Sequence, residues 1–410
     1  MSLKKCIVLL LMGSLIVKTK AQSDILTSKA VVKTDTAASS YWTGTPQKDV
    51  GDIWRQLLRK EPKIEKADKK SFNMVIPSVS YSIATGFMVV ATNNIVLFLD
   101  KNDQTNRSTI LSQAVYSQKN QVFFISNSNI WLPKRRLNLL GDYRFYKFPT
   151  ATYGLGGFTQ NSDELYIDYR HVRVYQAALA PIKNNFFAGL GFNLNHYWRI
   201  TDTDSTLNNL RNHESGVNGL SDKSTSSGLS VNLLFDNQGK ARNSSYFYTR
   251  FIQNLKALGS NTNWQSLLIE AKQVLQISEK RHQSLAFWSY NWLTLNGDAP
   301  YLDMPSTGWD AYNNMGRGYV VGRFRGRNLL YLESEFRFGL TKNGLLGAVV
   351  FANAQSVTHP ISNRFETLLP GTGAGLRLKL NKKANSVVAI DYAIGRYGSR
   401  GFFFNFNEVF

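Results

Sequence analysis

Cysteine is all but missing: Cys6 is the only one among 410 residues. It lies inside an N-terminal stretch that reads as a leader, so the chain beyond it has no thiol for a disulfide, a thiolate metal site or cysteine catalysis. Acidic side chains are outnumbered, with 28 Asp and Glu against 48 Lys and Arg and a formal net charge of +20. The five histidines, at 171, 196, 213, 282 and 359, never stand at ligand spacing with one another or with a carboxylate pair, so no metal site is expected. No Gly-x-Ser-x-Gly elbow occurs. Beyond the leader, no segment holds the roughly 18 consecutive apolar residues of a transmembrane helix. These absences point away from an enzyme and exclude a helical membrane protein. If the chain enters a bilayer, only a closed barrel can carry it there.

What is present begins with the leader. Lys4 and Lys5 precede an apolar run from Ile7 to Val17, and "TKA" supplies a small-residue cleavage site before Gln22. The pattern predicts a signal peptide over 1–21 and hence export. Without its four lysines the formal charge is still +16. The basic residues are spread rather than clustered with stacking aromatics, so nucleic acid is not the expected partner. Outer-membrane lipid and lipopolysaccharide fit a basic exported chain better. Residues 22–70 read as a polar periplasmic N-terminal segment. It contains one short amphipathic helix with Ile53, Trp54, Leu57 and Leu58 on one side, and Pro62 ends it.

From residue 71 to 410 the helical period gives way to alternation. In "FFAGLGFNLNHYW", Phe186, Ala188, Leu190, Phe192 and Leu194 face one way, and Gly189, Gly191, Asn193 and Asn195 the other. In "LLYLESEFRF", Leu330, Leu332, Phe336 and Phe338 oppose Tyr331, Glu333, Glu335 and Arg337. Charge on one side and bare apolar surface on the other suits a wall between lipid and a wet lumen. Strands are expected near 72–80, 86–98, 109–118, 121–132, 136–149, 163–178, 184–200, 226–237, 243–256, 263–277, 283–296, 329–340, 345–357, 368–380, 386–396 and 401–410. On pattern alone, 109–118 and 263–277 fit a helix as well as a strand. The expected fold is therefore all-β, a transmembrane antiparallel barrel of about sixteen strands. Two connections are long, 201–225 and 297–328. The final expected strand alternates and ends on Phe410, an aromatic ending of the kind that barrel-assembly machinery reads in its clients.

The second long connection carries "MGRGYVVGRFRGRN", residues 315–328. Its glycines are out of step with a dinucleotide fingerprint, and no Lys-Ser pair follows to make a phosphate loop. A loop dipping into a wet lumen needs glycine to turn tightly, and Gly316 and Gly318 flank Arg317. The guanidinium is a planar fork that can hold a wall carboxylate by two prongs. Glu333 and Glu335 share one face of the next strand. With no second catalytic feature beside them, they read as lumen charge balance rather than an acid/base pair.

The stretch "MGRGYVVGRFRGRNLLYLESEFRFGL" resembles the loop-six motif and following strand of the BamA/TamA-like outer-membrane assembly superfamily, also called the bacterial surface antigen family. Arg317, Gly318 and Tyr319 match the motif core, and Gly316 stands where an aliphatic residue is commoner. Arg323, Arg325, Arg327 and Asn328 match its extension, and Glu335 and Arg337 the E-x-R of the next strand. Arg377, Asp391 and Tyr392 follow the late-barrel pattern. The resemblance implies a barrel over 71–410 with loop six, 297–328, folded into the lumen. It implies a luminal latch of Gly316, Arg317, Gly318 and Tyr319, and candidate wall partners Glu333, Glu335, Arg337, Asn353 and Asp391. At the family's F-x-D-x-G pattern this chain has Asn353 and Gln355, which leaves Glu333, Glu335 or Asp391 to pair with the arginine. Residues 22–70 are too few and too polar for a POTRA domain, so a short form is expected. The implied function is assistance in insertion, assembly or translocation of outer-membrane proteins at a weak seam between first and last strands. Client barrel proteins and other assembly subunits are the implied partners, with no cofactor or metal, in the outer membrane of a Gram-negative cell. The alternative is a passive pore or structural barrel that keeps the fold alone.

Overall fold

The computed structural model describes residues 47–59, 71–82, 85–99, 108–202, 222–237, 243–278, 281–359, 361–381, 386–406, 408 and 410. The expected signal peptide, most of 22–70 and most of the 201–225 connection lie outside the described residues.

Seventeen strands are present among the described residues: β1 (Ser71–Ser82), β2 (Gly86–Leu97), β3 (Ser108–Ser117), β4 (Val122–Trp131), β5 (Asn138–Lys147), β6 (Thr150–Thr152), β7 (Leu165–Lys183), β8 (Phe186–Asp202), β9 (Lys223–Asp236), β10 (Ser244–Asn254), β11 (Trp264–Ser278), β12 (Gln283–Gly297), β13 (Asn328–Gly339), β14 (Leu346–Val357), β15 (Leu369–Asn381), β16 (Ser386–Gly395) and β17 (Arg400–Phe406). Both stretches that fit helix or strand equally on pattern are strands, β3 and β11. Tertiary pairing on two sides decides what pattern alone leaves open.

The extra strand does not change the architecture. β5 and β6 both pair with β7, in one unbroken register from Asn138↔Leu179 through Lys147↔Arg170 to Thr150↔Ile167. Pro149, which has no N–H to give the ladder, interrupts a single stave. Sixteen antiparallel staves result, each paired with its sequence neighbour. The fold is an antiparallel β-barrel in which β1 and β17 approach one another but share no ladder among the described residues.

Side-chain parity separates the two faces. Leu190, Leu332, Leu229 and Val231 stand on the outer surface, the first 71% exposed, while Asn193, Asn195, Asn232 and Glu333 are buried inside. The inner face thus carries the polar and charged residues that a soluble sandwich would expose. Among the described residues no helix is long and apolar enough to cross a membrane. The one α-helix described, α1 (Val50–Leu57), starts at a capping box in which Asp49 and Asp52 each accept the other's backbone N–H. Trp54, Leu57 and Leu58 on its apolar side are exposed, and the Lys48 N–H donates to Asn343 in the β13–β14 turn.

One expectation fails at the end of the chain. The last strand does not run to Phe410; β17 stops at Phe406. Phe410 instead packs its ring 5.4 Å from that of Trp288 on β12. Its carbonyl accepts from Arg337, whose guanidinium lies 5.1 Å from the Phe410 ring, so residue 410 is engaged inside the barrel rather than in the β16 ladder.

Candidate functional site

The connection from β12 to β13 enters the barrel and is buried along nearly its whole length. Its fold is set locally by Asp310. One carboxylate oxygen accepts from the N–H of Asn314 and of Met315, both at 2.8 Å, and the other from Tyr312 at 3.1 Å. A short side chain that captures three backbone donors replaces the ladder this segment has left. The next turn presents Arg317. Gly316 and Gly318 have φ of +81° and +106°, where an L side chain is strained. A Cβ at Gly318 would also meet the Ile394 carbonyl oxygen at 2.9 Å.

Arg317 is fully buried against the wall of β13, β14, β15 and β16. Its guanidinium donates to Glu333, to Glu335 at 2.5 Å and to Asp391 at 2.7 Å, and its Cζ lies 3.5 Å from the centre of the Phe351 ring. Burial works against its charge, but the three carboxylates outweigh burial and raise its pKa above the ordinary arginine value. The wall leaves room for the loop by omission of side chains. A Cβ at Gly371 would stand 2.6 Å from the Arg317 carbonyl oxygen, and one at Gly395 would stand 2.6 Å from the Tyr319 ring. Tyr319 fills that notch. Its hydroxyl donates to the Pro370 carbonyl at 2.5 Å and accepts from the Arg396 N–H at 2.9 Å.

The candidate residues named from the sequence fall into distinct places. Glu333, Glu335 and Asp391 all touch the Arg317 side chain. Asn353 touches its backbone, its Nδ2 donating to the Arg317 carbonyl at 2.9 Å. An aspartate there would face that carbonyl without a donor, so Asn suits the contact it makes. Gln355 accepts from the Thr307 hydroxyl at 2.8 Å. Arg337 does not touch Arg317; its Nε donates to Glu335 at 2.8 Å. Phe410 lies beside Arg337 rather than on β17, its carbonyl accepting from Arg337 Nη2 at 2.8 Å.

Sequence reasoning missed several members. Arg377, matched to the late-barrel pattern but not to the latch, donates to Asp391 at 2.6 Å and to Glu408 at 2.8 Å, and lies 3.6 Å from Glu335. Tyr331 donates to Glu333. The opposite wall was missed altogether. Arg144 on β5 grips Asp142 by two prongs at 2.7 and 3.0 Å, then donates to the Asp310 carbonyl at 2.8 Å and to Asn313 at 3.2 Å. Asn127 on β4 donates to the Ala311 carbonyl at 2.8 Å. The only signal for these residues was inward parity, which the rest of the lumen shares.

At the loop's two ends, further contacts tie it to the rim. Ser226 donates to Asp303 at 2.6 Å. Burial pushes the Asp303 pKa up to about 6, against the pull of Ser226, Arg173 and Arg325. Arg325 donates to the carbonyls of Tyr301 and Met304, and Arg323 to Thr159 and Asn161 in the β6–β7 connection. The loop therefore crosses the lumen and is held on two walls and one rim. Among the described residues, no group of three or more His, Cys, Asp or Glu is arranged to hold a metal ion.

No protein-family model matches the chain, and no characterised sequence does. Solved structures do. BamA from Haemophilus ducreyi lacking POTRA domains 1–3 is 10% identical with a TM-score of 0.52, over 90% of this chain and 76% of that one. CdiB from Acinetobacter baumannii is 13% identical with a TM-score of 0.53, over 83% of this chain and 60% of that one. CdiB from Escherichia coli is 11% identical with a TM-score of 0.53, over 84% and 66%. The chain thus spans less than two thirds of either CdiB, and the likeness is one of fold. The chain is an antiparallel β-barrel similar in fold to BamA and CdiB.

Proposed function

We propose that this chain is an outer-membrane barrel, a short member of the BamA/TamA-like superfamily, that assists insertion, assembly or translocation of outer-membrane proteins at the seam between β1 and β17. One observation carries the reading: among the described residues every other neighbouring pair of staves forms a ladder, and this pair does not. A strand with unpaired N–H and C=O groups is a template for a client strand. Loop 297–328 is the luminal latch that keeps the barrel filled while the seam stays weak, with Gly316 and Gly318 shaping the turn, Arg317 as the bolt and Tyr319 as the packing beside it. The outer face meets outer-membrane lipid and lipopolysaccharide, residues 22–70 lie on the periplasmic side, and the partners are client barrel proteins with or without further assembly subunits. The role is one of assembly rather than catalysis.

The test is reconstitution. Purified barrel in liposomes is expected to accelerate folding of a client barrel, followed by the shift of the client to its heat-modifiable gel form. Folding no faster than in empty liposomes overturns the assembly role and leaves the passive or structural barrel as the reading.

A further inference from the structure

Away from the β1–β17 seam, the outer wall carries one rung that breaks its apolar pattern. Lys147 on β5 pairs with Arg170 on β7, Arg170 with Trp198 on β8, and Trp198 with Lys223 on β9. Four consecutive staves thus set three cations and one indole in a row, about 4.8 Å from each backbone to the next. All four side chains face outward, because their neighbours Tyr146, Tyr169, Tyr197 and Ser224 are buried inside.

The rung marks a boundary. On β7 the outward positions from Val172 to Ile182 carry no charge. At about 3.3 Å per residue and a tilt of about 40° they span roughly 25 Å, the height of a barrel's apolar band. Phe145, on the next outward rung, is 43% exposed, and the His196 ring stacks on Trp198 with centres 5.3 Å apart. The rung lies at the end of the barrel where loop 297–328 meets the β6–β7 connection, which the reading above sets at the outer leaflet. It does not continue as a girdle. Near the same end of the next two staves stand Gln253 and Gln265, paired and bonded to each other at 2.8 Å. Positive charge is in surplus here, since exposed Arg199 beside Trp198 joins Lys147, Arg170 and Lys223 against Asp168 and Asp222. Among the described residues neither Lys147 nor Arg170 forms an ion pair. Cations without a partner at the edge of an apolar band suit an anion carried by a lipid.

We propose that this rung is a lipopolysaccharide site: Lys147 and Arg170 hold a phosphate of lipid A, Trp198 packs on its sugar, and Phe145 meets an acyl chain. A guanidinium takes phosphate by two prongs, and an ammonium adds a point charge beside it. An indole at the edge of the band offers an apolar face with one polar end. Lipid A joins phosphate, sugar and acyl chain in one molecule, whereas phosphatidylglycerol has no sugar for Trp198 to cover. The site rests on the outer-membrane location proposed above, but not on the assembly role.

The purified chain in detergent is titrated with lipid A and, separately, with phosphatidylglycerol, and bound lipid is counted by native mass spectrometry. The unaltered chain is expected to retain lipid A over phosphatidylglycerol. Lys147→Gln with Arg170→Gln is expected to weaken lipid A binding roughly tenfold or more, since charge-assisted contacts to phosphate are lost. Trp198→Leu is expected to weaken lipid A binding and leave phosphatidylglycerol binding unchanged. Equal retention of the two lipids makes the rung a general anionic-lipid contact and overturns the site, and so does undiminished lipid A binding by the double variant. Heat-modifiable migration checks folding, and Lys147→Gln alone replaces the double variant if the latter does not fold. No client is needed, so lipid A binding alongside failed client folding sinks the assembly role and spares the site. Fractionation of the chain away from the outer membrane sinks the location on which both rest.

Discussion

The loop is held on opposite walls by opposite devices. On the β13–β16 side the loop supplies the charge, and Arg317 enters a ring of three wall carboxylates. On the β4–β5 side the wall supplies the charge, and Arg144 and Asn127 reach out to backbone carbonyls of Asp310 and Ala311. The first contact depends on one side chain of the loop. The second depends mainly on the loop's shape, which Asp310 sets, with one side-chain contact at Asn313. A buried charge specifies one residue; a backbone contact specifies a path.

Substitution of Arg317 by Ala should have the largest effect. It leaves three buried carboxylates without their shared partner, a loss of about 3–5 kcal/mol. The loop is expected to become trypsin-sensitive and the temperature of heat-modifiable migration to fall; an unchanged barrel would mean that the carboxylates are satisfied by Arg337 and Arg377 alone. Arg144→Ala should cost less, toward the lower end of the range of about 3–5 kcal/mol for a broken buried pair, because Arg173 still lies 3.4 Å from Asp142. Urea unfolding in detergent measures it, and a loss equal to that of Arg317→Ala would erase the contrast between the walls. The smallest effect is a pH dependence at Asp303. Its folded pKa, about 6, lies above the ordinary carboxylate value, so its contribution is full below about pH 4 and is lost as pH rises through 6. Hydrogen exchange at residues 300–306 should therefore speed up from pH 4 to pH 7 after correction for the intrinsic rate, and Asp303→Asn should flatten the change.

The two walls also differ in how legible they are from sequence. The strands are legible because a barrel wall with an apolar outer face and a polar inner face forces period-two alternation over ten-residue stretches, and a ladder on each neighbouring stave keeps it in register. Arg317 is legible because glycine on both sides of an arginine, in a long connection, marks a tight turn built to present one charge. Arg144 is not, since one inward arginine on a polar strand looks like any other lumen charge. Pro149 is visible, but whether it splits one stave or ends it depends on β7 continuing past it. The end of β17 is hidden for a similar reason: "FFFNFNEVF" alternates well enough, and nothing local reveals Trp288 and Arg337 across the lumen.

The barrel, the face each strand turns outward and the arginine at the loop's tip are all written locally, because each follows from short-range periodicity or from glycine beside charge. Long-range packing sets which carboxylates surround Arg317, that Asn353 serves a carbonyl, that a second wall holds the loop largely by its backbone, and that Glu408 and Phe410 meet Arg377 and Arg337. Those contacts join residues tens to hundreds of positions apart, and their energies depend on burial and geometry that no local pattern encodes.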